Sequence, residues 1–377
     1  MKGISLSPSN HCQLKFQNIL AKQLNKPINT IPFHFTITNR QFPAHVIKCQ
    51  CQRRDQNPVP KNPINTPPPL VVVGSANFDI YVEIDRLPKV GETVAAKTSQ
   101  TLAGGKGANQ AACGAKLSHP TYFVGQVGED ANGKLITDAL SGCGVRLDYM
   151  NVVKDGGVPT GHAVVMLQSD GQNSIIIVGG TNMSCWPEKF GDEDLEVVKK
   201  AGIVLLQREI PDSVNIQVAK AARSAGVPVI FDAGGMDAPI PQELLNFIDI
   251  LSPNESELGR LTGMPTDSYE QISEAVVKCH KMGVQQVLVK LGAKGSALFV
   301  EGEKPIKQSI IPAARVIDTT GAGDTFTASF AVGFVEGKSR EECLRFAAAA
   351  ASLCVQVKGA IPSMPDRKSV LNLLQYA

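Results

Sequence analysis

From Leu70 onward, short unbroken apolar runs alternate with segments whose apolar residues recur at helical spacing. LVVVG, beginning at Leu70, is the first such run, and TYFVG, AVVML, SIIIV, GIVLL, PVIF, FIDIL, VLVK and SALFV follow it. Each is short, rich in β-branched residues and apolar on both faces, which predicts strands buried on both sides. Val214, Val218, Ala221 and Ala222, and then Ile272, Val276 and Val277, carry helical spacing between such strands. Strands alternating with helices predict a mostly parallel sheet covered on both faces, a three-layer α/β sandwich. Residues 77–103 and 155–180 break this rhythm, with alternating, turn-punctuated strands and little helix. Asp170-Gly171, between AVVML and SIIIV, is a hairpin signal. These two insertions predict a small separate β-sheet attached to the core.

The first 69 residues lack any sustained period. They are rich in Asn, Gln, Pro and Lys, and close with NPVPKNPINTPPP, which cannot be helix and reads as an extended linker. Nine Lys/Arg and one Asp give this stretch a net charge of +8, whereas residues 70–377 carry 28 basic and 34 acidic residues, a net of −6. A basic, acid-poor leader of this kind predicts an organellar transit peptide, plastid rather than mitochondrial, with a disordered tail as the plain alternative. The mildly acidic body argues against a nucleic-acid groove. No apolar run approaches the roughly 20 residues that a membrane helix needs. Nine cysteines in 377 residues are too dilute for a disulfide framework and lack zinc-ligand spacing.

Two nucleotide motifs fail on inspection. Gly128–Lys134 reads G-x-x-x-x-G-K, but Leu135 stands where Ser or Thr would bind magnesium; Gly333–Ser339 ends in GKS with its first glycine one residue too close. The informative segment is Asp318-Thr-Thr-Gly-Ala-Gly-Asp324, followed by the helical pattern of Phe326, Phe330 and Phe334. Glycines before a helix let backbone N–H groups converge, and the helix dipole reinforces them. Gly321, Ala322 and Gly323 thus suit an anion cradle, with Asp324 beside it in the first turn as a proton acceptor. Together these are the two parts of a phosphotransfer centre. A bare glycine turn with a helix-capping acid fits the heptapeptide as well.

Three further segments sit at predicted strand ends, where open α/β sheets bind ligands. Gly104-Gly105-Lys106-Gly107-Ala108-Asn109-Gln110 offers a glycine hinge and then a helix from Ala108, with amides available to sugar hydroxyls. Gly74-Ser-Ala-Asn77-Phe-Asp79 places Asn77 and Asp79 on one face of an extended chain. Ser252-Pro-Asn254-Glu255-Ser-Glu257 puts Asn254 and Glu257 on one side of a first turn, where they suit either a capping box or a hydrated Mg²⁺. Glu209, after GIVLLQ, reaches toward the same cleft. Each of the three has an ordinary turn or cap as its alternative.

GSANFD, GGKGAN, SPNESE, LGAKG and DTTGAGD occur in that order. The ordered set resembles the ribokinase/PfkB carbohydrate kinase family from about Leu70 to the C-terminus. GGKGANQAA with KGAIPSMP points to its ribokinase branch. The resemblance implies transfer of the ATP γ-phosphoryl group to the 5-hydroxyl of D-ribose. Asp324 matches the catalytic base and Gly321, Ala322 and Gly323 the anion hole. Asn77, with Ala76 and Phe78 beside it, Asp79, Gly105, Lys106, Gly107, Ala108, Asn109, Glu209 and Asp324 itself match sugar-binding positions. Asn254, Lys290, Leu291, Gly292, Ala293, Lys294, Gly295, Gly323, Asp324 and Ala348 match the ATP site, and Glu257 matches a magnesium position reached through water. Asp318, Thr320, Cys354, Val357, Gly359 and Ser363 match a potassium loop, with Val357 replacing a basic residue common in bacterial relatives. The resemblance also implies that the small sheet closes over the sugar as a lid and forms a homodimer clasp. Another sugar (fructose or a keto-deoxy sugar acid) or a nucleoside as substrate, and a non-catalytic organellar scaffold, are the competing expectations.

Overall fold

The computed structural model describes residues 67–154, 157–169 and 173–376. All but the last three residues of the leader, and the hairpin turn at Asp170-Gly171, lie outside the described residues. Along the chain run β1 (Leu70–Val73), β2 (Asn77–Ile84), β3 (Thr98–Gly104), α1 (Lys106–Lys116), β4 (Thr121–Gly128), α2 (Ala131–Gly142), β5 (Arg146–Val153), β6 (His162–Gln168) and β7 (Asn173–Val178). Then come α3 (Glu196–Lys199), β8 (Ile203–Arg208), α4 (Asp212–Ser224), β9 (Val229–Gly235), α5 (Gln242–Leu245), β10 (Ile250–Ser252), α6 (Glu255–Thr262), α7 (Tyr269–Lys281), β11 (Gln286–Lys290), β12 (Ser296–Val300) and β13 (Ile306–Gln308). Helices α8 (Ala322–Val335), α9 (Arg340–Cys354), α10 (Ala360–Ser363) and α11 (Arg367–Tyr376) complete it.

The main sheet has nine strands in the order β13-β12-β11-β10-β9-β8-β1-β4-β5. Pairing is parallel from β5 to β11, and β12 pairs antiparallel with both β11 and β13, so β12 alone runs against the other strands. β1 shows why the runs are apolar throughout. Leu70 and Val72 pack into one core with α1, α8 and α9, while Val71 and Val73 pack into the other with α4, α6 and α7. A strand between two helical layers has no polar face, hence the absence of alternation. The three-layer sandwich is therefore as expected; β5, mixed in polarity and partly exposed, and β13, short and partly exposed, carry no clear apolar run and are not foreseen. No helix among the described residues is long and apolar enough to cross a membrane.

The second sheet has the order β3-β2-β6-β7, with strands drawn from both irregular segments. Its small core is Tyr81, Ala163 and Val165 with Leu102. Helix starts follow the sequence closely: Asn254, Ser268 and Ser339 each form a capping box, with Glu257, Gln271 and Glu342 respectively. Each such cap contributes about 1 kcal/mol. Chain order reverses between β8 and β1, since β1 leads to β4 and β5 on one side and β8 to β9, β10 and β11 on the other. Such a switch point opens a crevice at the carboxyl ends of the strands.

Candidate active site

That crevice is a cavity of about 940 Å³, a volume typical of small-molecule sites. It is walled by the strand ends of β8 to β11, the N-termini of α1 and α8, and the face of the second sheet that carries Ala163 and Val165.

Asp324 lies in the first turn of α8, 5% exposed. Its Oδ2 accepts from Asn109 Nδ2 at 2.9 Å and its Oδ1 from Gln110 Nε2 at 3.2 Å, with Lys106 Nζ 3.8 Å from Oδ1. Burial pushes its pKa above the ordinary carboxylate range, Asp232 adds to this, and Lys106 and the two amides oppose it. Gly321 caps the helix in the left-handed region, at φ 78°, a conformation that costs any L-residue with a Cβ about 1–2 kcal/mol. The anion cradle differs in one detail from expectation. Ala322 N–H donates to the Thr319 carbonyl (3.2 Å), so the N–H groups without a protein partner among the described residues are those of Gly321, Gly323 and Asp324. The tight 319–322 turn that aims the helix consumes the middle amide.

A carboxylate cluster forms the opposite wall. Glu209 Oε2 accepts from Ser75 Oγ (2.5 Å), the Lys106 N–H (3.1 Å) and Asn77 Nδ2 (3.4 Å). Asn182 Nδ2 donates to Asn77 Oδ1 at 2.7 Å and fixes that amide. Asp79 faces the same space, and burial, then Glu209 and Asp324, push its pKa well above the ordinary range. Glu209 is also raised, chiefly by burial. Gly104 must lack a side chain, because a Cβ there would fall 2.0 Å from Asp79 Oδ2. Paired acceptors and donors at this spacing suit a polyol.

Lys106, from the GGKG turn, and Lys290, from the end of β11, converge on Asp232 in the middle of β9. Lys290 Nζ lies 2.5 Å from Oδ2 and Lys106 Nζ 3.4 Å from Oδ1. Asp232 has no solvent exposure; burial opposes its charge, yet the two ammoniums hold its pKa below the ordinary range. Burial likewise opposes the Lys106 charge, but Asp232, Asp324, Glu257 and Glu209 outweigh it and raise its pKa. The result is an anion-attracting floor next to the α8 amides.

The cavity brings together Asn77, Asp79, Gly105, Lys106, Asn109, Glu209, Asn254, Glu257, Lys290, Gly292, Ala293, Gly295, Thr320 to Asp324 and Ala348. Several expected residues lie elsewhere. Ala76 and Ala108 are fully buried in the core behind the wall. Gly107 packs on the Gly74–Ser75 backbone, where a Cβ would meet Ser75 N at 2.7 Å. Phe78 points away along β2 and stacks on His162. Leu291 belongs to the hydrophobic core, and Lys294 does not line the cavity but pairs with Glu255, which does. Helix α1 starts at Lys106 rather than at Ala108, since Gly105 already serves as its cap at φ 90°.

Asp318, Thr320, Cys354, Gly359 and Ser363 do gather in one place. Buried Asp318 accepts from Thr320 N (2.9 Å) and Gly359 N (2.8 Å), and Cys354 Sγ lies 3.0 Å from Ser363 Oγ. The Val357 side chain is exposed and turned away. Gln110, Asn182, Gln207 and Asp232 are buried polar residues of the site that the expectation lacks. Asp232 had a signal, as an acid directly after the apolar run PVIF in a strand that leads to the ligand-binding edge of the sheet. Gln110 and Gln207 sit inside apolar stretches as buried amides, and Asn182 joins the site only through the fold.

A family model described as pfkB family carbohydrate kinase matches residues 68–367. The chain belongs to this family. A ribokinase of Arabidopsis thaliana is 78% identical over 312 residues, covering 82% of each chain. One of Bacillus subtilis is 39% identical, over 81% of this chain and 99% of its own. The solved structure of Arabidopsis thaliana ribokinase complexed with ribose and ATP matches with a TM-score of 0.77, 78% identity, and coverage of 82% and 100%. A Thermotoga maritima ribokinase structure matches at 0.71, with 34% identity and coverage of 82% and 99%.

Proposed function

We propose that this PfkB kinase transfers the γ-phosphoryl group of ATP to the 5-hydroxyl of D-ribose. The observation that carries the reading is the placement of Asp324. It faces the same cavity as the Asn77–Asp79–Glu209 polyol wall and stands one residue from unengaged helix-terminal amides. High identity to a ribokinase solved with ribose and ATP supports the choice of both substrates.

The sugar lies between the two sheets, its hydroxyls matched by Asn77, Asp79, Glu209 and the free Oδ1 of Asn109, a buried atom without a protein partner. The 5-hydroxyl approaches Asp324, which takes its proton as the oxygen attacks phosphorus. The bond from phosphorus to the β–γ bridging oxygen breaks, and ADP keeps that electron pair. Charge on the moving phosphoryl group meets the Gly321, Gly323 and Asp324 N–H groups, the α8 dipole, Lys106 and Lys290. Preorganised donors of this kind carry most of the rate in phosphoryl transfer.

Mg²⁺ and K⁺ fit the residues present. Glu257, held by its own capping box, offers a carboxylate at the cavity wall, and Mg²⁺ commonly binds through one carboxylate, waters and substrate phosphates. It would neutralise phosphate charge. Among the described residues no Lys, Arg or His lies within ion-pair distance of buried Asp318, so a monovalent cation at the 318–320 loop would balance that charge. The β2-β3-β6-β7 sheet acts as the lid; Asn173 Nδ2 donates to Thr320 Oγ1 at 2.9 Å, joining it to the anion-hole loop. Ile176 and Val178 on its edge strand remain exposed and do not line the cavity; they suit a homodimer contact, which light scattering of the purified protein tests. The basic leader reads as a plastid address, which N-terminal sequencing of the mature protein tests.

The deciding experiment measures ATP consumption by the purified protein with Mg²⁺ and a panel of sugars and nucleosides, with and without K⁺. Ribose as the preferred acceptor, and loss of about 10²–10⁴-fold in kcat for Asp324→Ala, are the expected results. Near-normal turnover by Asp324→Ala, or preference for another acceptor, would contradict the reading.

A further inference from the structure

Asp324 is gripped from behind by a chain of buried amides that leads out of the cavity. Gln110, on α1, has no solvent exposure and donates Nε2 to Asp324 Oδ1 at 3.2 Å. Its Oε1 in turn accepts from Gln207 Nε2, at 2.8 Å, from fully buried Gln207 on β8. Gln207 is held by its backbone carbonyl, which accepts from Asn215 Nδ2 at 2.9 Å. The chain ends on Gln207 Oε1, a buried acceptor without a partner.

The polarity of this chain is informative. An amide side chain has one donor end and one acceptor end. An ionised carboxylate accepts only, so it selects the donor end of Gln110; the exposed acceptor end of Gln110 then selects the donor end of Gln207. Every N–H points toward Asp324, and the orphan acceptor is displaced to the far end. An unsatisfied buried oxygen is rare enough to need a reason, and a chain directed at an anion supplies one. Neither glutamine lines the cavity, so neither is placed to touch a ligand.

We propose that Gln110, backed by Gln207, is a positioning residue that locks the Asp324 carboxylate in rotation and in its ionised form for proton transfer. Asn109 holds one oxygen and Gln110 the other, from adjacent positions of one helix, so the carboxyl plane cannot turn. Lone pairs not used by these amides are thereby fixed toward the sugar. The groups facing Asp324 are Lys106 and Cys113 from α1, Asp79 from β2, Glu209 beyond β8, Asp232 from β9 and Cys354 from α9. Most of the charged ones are acidic, which makes a neutral donor at Oδ1 valuable. The proposal rests on Asp324 being the base.

The test compares Gln110→Met, of similar volume but without the donor, with Gln207→Met, their double variant and Asp324→Asn, using the full chain. Kinetics follow ATP and ribose across pH, and thermal melting checks folding. Gln110→Met is expected to lower kcat about 10-fold, to leave both KM values within about twofold, and to move the acidic limb of the kcat profile upward. Gln207→Met should show the same signature more weakly, and the double variant should be no slower than Gln110→Met, since one acts through the other. A merely structural role would change melting while leaving the limb in place. Unchanged kcat and an unmoved limb in folded Gln110→Met overturn the proposal. Should that variant fail to fold, Gln207→Met decides by the same limb. An active Asp324→Asn overturns the choice of base and this inference together, whereas an inactive Asp324→Asn beside a normal Gln110→Met overturns the inference alone.

Discussion

Deleting the Asp232 carboxylate, as Asp232→Ala, tests how the cavity floor is built. The group is fully buried between Lys290 Nζ (2.5 Å) and Lys106 Nζ (3.4 Å), and also accepts from Gly234 N (3.0 Å) and Thr327 Oγ1 (3.3 Å). Removing one partner of a buried ion pair costs about 3–5 kcal/mol. Here the Lys290 and Lys106 side chains keep 12% and 24% exposure toward the cavity, and Lys106 can turn to Asp324, so the lower end applies, about 3 kcal/mol. For the domain described from residue 67 to residue 376, about 1.5 °C per kcal/mol follows from the entropy of unfolding, a fall in Tm of about 5 °C. The catalytic sign is separate. Asp232 is among the charges that raise the Asp324 pKa, so its loss lowers that pKa. The base then stays ionised to lower pH, and the acidic limb of kcat moves down, opposite to the Gln110→Met shift. Turnover at the plateau falls about 10-fold or more, because neither lysine is held in place. Thermal melting and a pH–rate profile provide the assay, and Asp232→Asn, which keeps the volume, separates charge from packing. A Tm within about 1 °C of the parent, or an acidic limb moving upward, would refute the reasoning.

Two other outcomes follow from the same geometry. Gly74→Ala places a Cβ 1.9 Å from Gln207 Oε1 and 3.0 Å from Gly107 Cα; displacing Gln207 costs about 1–3 kcal/mol, measurable by denaturant melting, and lowers kcat with little change in KM. Asp324→Asn raises Tm at neutral pH despite loss of activity. The folded carboxyl has the raised pKa, so its contribution to stability is complete below the ordinary carboxylate range and is lost as pH rises through the folded value. The gain should therefore shrink on acidification, and a constant gain across that window would argue against a perturbed Asp324.

Much of this molecule is legible in one dimension. The double-faced strands, the caps at Asn254, Ser268 and Ser339, the glycine turn before α8 and the position of Asp324 in its first turn all follow from local rules. Periodicity, capping and positive-φ glycines act over a few residues, so the chain states them directly. Sequence order also placed Asn77, Asp79, Lys106 and Glu209 at strand ends, where a parallel sheet puts its ligands. The tertiary structure alone decided which of these side chains enter the cavity. Ala76, Gly107, Ala108 and Leu291 neighbour site residues in sequence yet face the core, because a strand or helix turns each successive residue away from the last. It alone joined Gln207, Gln110 and Asp324, and gave Lys106 and Lys290 a common carboxylate in Asp232. Those links span 58 to 214 positions, and no local propensity encodes a partner at that distance. Burial removes competing water, and that is what turns such distant polar pairs into an ordered active site.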